Sequence, residues 1–265
     1  MKYKIYTLIK KLIILDYYKN DTMSRHIIST IIVIICILII GLYAMGEVNY
    51  YSSKIAVERD LEAPTVVIPS VGVNEKINDV SLSQGVFHEP SSYAPLQGDV
   101  LIFGHRTLQG SPFLRLNELS EGDTILLEWP GIGELKYNVI SSTIVPADYQ
   151  LNAVEGGNKV YLITCDPIGS TENRLIIEGS LTETNPINDV ILKENPQESY
   201  ALIITAIFLV IGLIFSYFYP KEHRIYILAT VLIITAILFY FCINPISSQV
   251  IYDKLLFLNG GSNWI

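Results

Sequence analysis

The sequence predicts an all-β domain, a sandwich or a barrel, held outside a membrane by three apolar helices. Three observations carry this expectation. Half of the 265 residues are apolar and the mean hydropathy is +0.39, which is unusual for a wholly soluble chain. Between three long apolar runs, the remaining apolar residues fall in short β-branched stretches punctuated by Gly, Pro, Asn and Asp, the pattern of strands and turns rather than of βαβ units. Charge is also segregated: residues 47–198 hold 22 Asp and Glu against 9 Lys and Arg, a formal −13, whereas the flanks carry +5. An acidic central domain excludes the positive surface that phosphates require, so no nucleic-acid partner is expected.

The three runs are 27–46, 200–219 and 225–243, each about 20 residues without a charged side chain, enough to cross a bilayer. The last two are separated only by Pro220–Arg224 and so form a hairpin. Lys2, Lys4, Lys10, Lys11, Lys19 and Arg25 precede the first span, and Lys221 and Arg224 lie in the hairpin loop. Positive charge favours the cytoplasmic side, and both groups agree. Residues 1–26 are therefore expected inside, and the central domain and the tail 244–265 outside, in a multi-pass protein of the cell membrane with lipid as a partner. Met23 offers an alternative start just before the first span.

Within the outer segment, 47–63 and the acidic stretch 184–199 read as linkers around a folded unit at 64–183, a size suited to one core. Its expected strands are Thr65–Ile68, Val100–Phe103, Thr124–Glu128, Leu135–Ile144, Lys159–Thr164 and Arg174–Glu178, with one short helix at Phe113–Leu119.

Cys36 and Cys242 fall inside apolar runs, which leaves Cys165 as the one cysteine of the polar domain. No disulfide within that domain and no multi-cysteine metal site is expected, nor any cofactor. Cys165 ends the apolar stretch Tyr161–Thr164, and a strand end is a rigid platform with an accessible tip. A thiol needs a neighbouring base or cation to react near neutral pH. His105 follows the stretch Val100–Phe103, and Arg174 opens the next strand, where a guanidinium can donate to a developing oxyanion. Taken singly, each has an ordinary reading: a packed core cysteine, a satisfied histidine, a solvated surface charge. His88 reads as structural or peripheral.

Taken in order, the segments Val66–Gly72 (VVIPSVG), Gly98–Arg106 (GDVLIFGHR), Leu162–Cys165 (LITC) and Asn173–Ile176 (NRLI) resemble the sortases, the cysteine transpeptidases of cell surfaces. The resemblance covers about Thr65 to Thr182. It implies a closed eight-stranded β-barrel with Cys165 as nucleophile, His105 as acid and base, Arg174 as oxyanion donor and Thr164 lining the peptide site. It further implies as substrates secreted surface proteins with a C-terminal sorting signal such as LPXTG, cut between Thr and Gly, and as acceptor an amine of the cell wall or of another surface protein. Two features depart from the family pattern. Residues 47–64 hold no Asp-Pro-aromatic triplet of the kind found in the lids of some pilus-forming members, and a C-terminal membrane hairpin is not the commonest arrangement. Two alternatives stand beside this reading: a surface cysteine protease that only hydrolyses, and a non-catalytic membrane-anchored β-domain.

Overall fold

The computed structural model describes residues 27–52, 63–193 and 199–244. The basic segment 1–26, most of the first expected linker and the tail beyond 244 lie outside the described residues. The chain divides into two compact units.

The helical unit holds most of α1 (Ile27–Ser52), α3 (Tyr200–Phe218) and α4 (Arg224–Ile243), each long and apolar enough to cross a membrane. Small and polar residues let these helices approach. A Cβ placed on Gly41 would lie 2.8 Å from Ile234 of α4, and the hydroxyls of Thr30 and Tyr219 stand 3.1 Å apart. In a bilayer, contacts of this kind join helices without a hydrophobic force between them.

The second unit is the barrel. Its strands are β1 (Thr65–Ile68), β2 (Val73–Asn78), β3 (Val86–His88), β4 (Val100–Phe103), β5 (Thr124–Trp129), β6 (Gly133–Pro146), β7 (Lys159–Asp166) and β8 (Asn173–Asn185). They close in the order β1-β2-β3-β4-β7-β8-β6-β5. The β2–β3 and β4–β7 pairs are parallel and the others antiparallel. Closure leaves no unpaired sheet edge.

Two strands, β2 and β3, were not expected from periodicity. β2 does alternate, with Val73, Glu75 and Ile77 buried, but a charged residue at a buried position hides the pattern; β3 has only three residues. The helix expected at Phe113–Leu119 is reduced to one 3-10 turn at Leu116–Glu118. β8 runs on to Asn185, because Glu134 at the start of β6 offers a pairing partner there. A short α2 (Asp189–Lys193) then occupies part of the acidic stretch. α1 likewise continues to Ser52, well past the end of its apolar run.

Alternation along the strands sorts the side chains into two sets. Val100, Ile102, Val160, Leu162, Leu175 and Ile177 belong to the core inside the barrel. Each such side chain contributes about 1.5–3 kcal/mol by leaving water. Leu101, Ile163 and Ile176 form a separate cluster with Phe103, Tyr161, Val145 and Leu151 against the opposite, outer face of β4, β7 and β8. Cys165 and Arg174 share the parity of this outer set.

Candidate active site

The site follows from one register. β4 runs parallel to β7 with Val100 beside Val160 and Phe103 beside Ile163, an offset of 60. Continued beyond the strands, the same offset brings Gly104 to Thr164, His105 to Cys165 and Arg106 to Asp166. Hydrogen bonds follow this continuation. The Gly104 N–H donates to the Ile163 carbonyl at 3.1 Å, the Thr164 hydroxyl donates to the Gly104 carbonyl at 2.8 Å, and Arg106 Nη1 donates to the Cys165 carbonyl at 3.1 Å. On the other side, Cys165 pairs directly with Arg174 across β7 and β8. Direct cross-strand partners share a face of the sheet, so the thiol and the guanidinium leave it on the same side. The backbones of three residues spread over 70 positions thus lie together at one end of the barrel.

Gly104 is required where it stands. A Cβ there would fall 2.5 to 2.8 Å from three atoms of the Phe113 ring, and that ring is fully buried. The ring packs flat on the backbone just before His105. The Phe113 N–H closes the loop by donating to the His105 carbonyl at 3.0 Å.

Burial disfavours the charged form of both His105 and Cys165. His105 is 4% exposed, and burial lowers its pKa to about 4. The imidazole is therefore neutral at pH 7, the form able to accept a proton. Burial also pushes the Cys165 thiol up, while the nearby cations Arg174 and Arg106 pull it back down. Arg174 Nη1 is held by the carbonyls of Thr171 at 2.9 Å and Asn173 at 3.0 Å, which fixes the guanidinium at the start of β8. Arg174 also lines a groove of about 320 Å³ whose floor is the outer apolar cluster, with Leu101, Phe103, Ile163 and Ile176, and whose rim carries Glu89, Tyr149 and Asn152.

Of the four residues expected at the site, Cys165 and Arg174 are direct cross-strand partners and His105 follows the end of β4, which pairs with β7; Arg174 lines the groove, whereas His105 and Cys165 are not among its lining residues. Thr164 does not join Cys165 and Arg174 on the outer face. It is completely buried and its hydroxyl ties β7 to Gly104, because alternation turns the residue before an outward Cys165 into the barrel. His88 sits on β3, where its Nε2 meets the Ser92 hydroxyl at 3.1 Å and the Tyr93 carbonyl at 3.2 Å, and its ring stands edge-on to Trp129. That supports a turn and matches its structural reading.

Two residues escaped the sequence reading. Arg106, 5% exposed, forms an ion pair with Asp166. Its bonds to Asp166 and to the Cys165 carbonyl clamp the His105 loop to the Cys165 turn. The available signal was a cation directly after the histidine and an anion directly after the cysteine, which become neighbours once β4 and β7 are known to be parallel. Among the described residues no cluster of three or more His, Cys, Asp or Glu side chains is arranged to hold a metal ion.

Comparison with known proteins agrees with this architecture. Residues 61–182 match the sequence model of the sortase domain. Sortase C-1 from Actinomyces oris is 30% identical over 46% of this chain and 74% of its own, with a TM-score of 0.43. A lid mutant of sortase A from Corynebacterium diphtheriae is 27% identical over 47% of this chain and 72% of its own, with a TM-score of 0.42. Sortase A from Listeria monocytogenes is 21% identical over 51% of this chain and all of its own, at a TM-score of 0.45. A search of curated proteins finds no match. On the domain match, together with the 30% identity over most of a relative's length, the chain belongs to the sortase family of cysteine transpeptidases.

Proposed function

We propose that this chain is a membrane-anchored transpeptidase that cuts a sorting signal near the C-terminus of secreted surface proteins and joins them to an amine of the cell wall or of another surface protein. The observation that carries the reading is the direct β7–β8 pairing of Cys165 with Arg174, beside the His105 strand end, with Arg174 lining a groove of mixed polar and apolar residues. In this reading the Cys165 thiol passes its proton to the neutral His105 imidazole as sulfur attacks the scissile carbonyl. Arg174 donates to the resulting oxyanion, His105 returns the proton to the leaving amine, and a thioester remains. An incoming amine, deprotonated by His105, resolves the thioester to a new amide. The groove floor suits an apolar side chain such as the Leu of an LPXTG-like signal. Thr164 acts here as a tie beneath the site, not as a peptide contact. The basic hairpin loop and basic N-terminal segment support a barrel held outside the cytoplasm by three spans.

The test uses the full chain in detergent with LPXTG-like peptides, with and without a glycine-peptide acceptor, followed by mass spectrometry. The expected result is a thioester adduct on Cys165 that converts to an amide when the acceptor is present. Release of the free acid alone, insensitive to added amine, identifies a protease. Absence of any Cys165 adduct across a broad peptide panel removes the catalytic reading.

A further inference from the structure

The end of α1 is not a simple tether. Its residues from Met45 onward belong to the barrel unit, and Val48, Asn49, Tyr50, Tyr51 and Ser52 are each at most 8% exposed. Five successive helical residues step through more than a full turn, so this end of the helix is enclosed on every side. Part of what it packs against is the loop that His105 opens.

That loop contains an uncommon run. Gln109, Gly110 and Ser111 have φ of 52°, 79° and 47°, and two of these three left-handed residues carry a side chain. Left-handed backbone at a residue other than glycine persists only where surroundings over-determine it. The surroundings here are Glu47 and Tyr50. The Glu47 carboxylate accepts the Gly110 N–H at 2.6 Å, and the neighbouring Gln109 backbone, like that of Gly110, favours its charged form. Successive N–H groups in such a turn form a concave cradle for an anion. The Tyr50 ring packs on the same turn so closely that a Cβ on Gly110 would lie 2.5 Å from it and 3.0 Å from the Tyr51 hydroxyl. At its far end the Tyr50 hydroxyl donates to Glu75 of β2 at 3.4 Å, which pins the ring to the barrel wall. Glu47 half-buries a carboxylate to make these bonds, and burial pushes its pKa upward against them. A tether has no use for such an arrangement.

We propose that Glu47, at the end of the membrane helix, is a positioning residue for His105: its carboxylate holds the 109–111 turn, and through the turn the placement of the catalytic histidine. The proposal rests on the transpeptidase reading above for what the histidine does. It makes the end of the membrane helix and the acid/base one mechanical body, so that the barrel acts at full rate only with residues 47–51 attached.

The test is made on the full chain in lipid nanodiscs, comparing the parent with Glu47→Ala and Glu47→Gln. The amide of Gln keeps one acceptor oxygen for the Gly110 N–H, whereas Ala keeps none. Displacing a catalytic group by an ångström costs up to about a hundredfold. We expect Glu47→Ala to lower kcat for amine transfer by about tenfold or more, with KM for the peptide and the rate of Cys165 alkylation by iodoacetamide within about threefold of the parent. Glu47→Gln should recover most of the lost kcat. Amide exchange at Gly110 should quicken by at least about tenfold in Glu47→Ala and much less in Glu47→Gln. Parent kcat in Glu47→Ala, or a Gln variant no better than Ala, overturns the proposal. Should the parent itself transfer nothing, the transpeptidase reading fails. Exchange at Gly110 then still decides the latch, because unchanged protection in Glu47→Ala refutes it without reference to catalysis.

Discussion

Removing the Arg106 guanidinium tests whether the strand ends at His105 and Cys165 are held by a clamp or merely lie together. Arg106→Met keeps the length and apolar stem and deletes every donor. The loss is the Asp166 ion pair, whose partners are 5% and 19% exposed, together with the 3.1 Å bond to the Cys165 carbonyl and a weak 3.4 Å bond to the Leu114 carbonyl. Breaking one partner of a buried pair costs about 3–5 kcal/mol. Asp166 retains some water, which places the expected cost at the lower end, about 3 kcal/mol, a large share of a typical domain stability of about 5–15 kcal/mol. Asp166→Asn keeps an acceptor oxygen and should cost about 1–2 kcal/mol. If the two side chains act as one clamp, the double variant costs little more than Arg106→Met alone, a coupling of about 1–2 kcal/mol. The assay is urea unfolding of the full chain in detergent, read by Trp129 fluorescence with Trp264 replaced by Phe in every protein. Because Arg106 is one of two cations that lower the Cys165 thiol's pKa, its loss should also slow iodoacetamide alkylation at pH 7 in folded protein. Costs that add to within about 0.5 kcal/mol, or an Arg106→Met loss below about 1 kcal/mol, would refute the clamp.

Arg174→Lys keeps the charge of the proposed oxyanion donor and loses its fork, so kcat/KM should fall by about a hundredfold to a thousandfold while Cys165 alkylation changes much less; parental activity returns Arg174 to a surface charge. His105, held near 4 against an ordinary 6.5, binds its proton less readily folded than unfolded. Its contribution to stability is therefore present above about pH 6.5 and lost as pH falls toward 4, by up to about 3 kcal/mol; the parent-minus-His105→Gln difference in unfolding free energy should show this slope, and a flat difference contradicts the burial. Gly104→Ala drives a methyl into the Phe113 ring and should cost about 1–3 kcal/mol, with activity falling as well; a melting temperature equal to the parent's contradicts the packing. The proposed topology predicts that a cysteine placed in the Lys221–Arg224 loop resists an impermeant thiol reagent on intact cells, and ready labelling there reverses the orientation.

The sequence by itself determined the elements with a strong local signal. Three uncharged runs of about 20 residues became α1, α3 and α4, each long and apolar enough to cross a membrane, because a helix satisfies every backbone group of such a run within the run itself. Short β-branched stretches such as Thr65–Ile68 and Val100–Phe103 appear as β1 and β4 with unchanged bounds. Cys165, His105 and Arg174 could be singled out because thiol chemistry needs a base and a donor, and their order matched a family. β2 was illegible because Glu75, an ion by composition, occupies a buried position that pays for its burial with a distant tyrosine. Only the tertiary structure decided which residues meet. The parallel β4–β7 register creates the Arg106–Asp166 pair and turns Thr164 inward, since strand parity and cross-strand neighbours depend on pairing, which the linear chain does not encode locally. The role of α1's end was hidden for the same reason. Glu47 and Tyr50 look like the polar exit of a membrane helix until the fold brings a left-handed turn from 60 residues away against them.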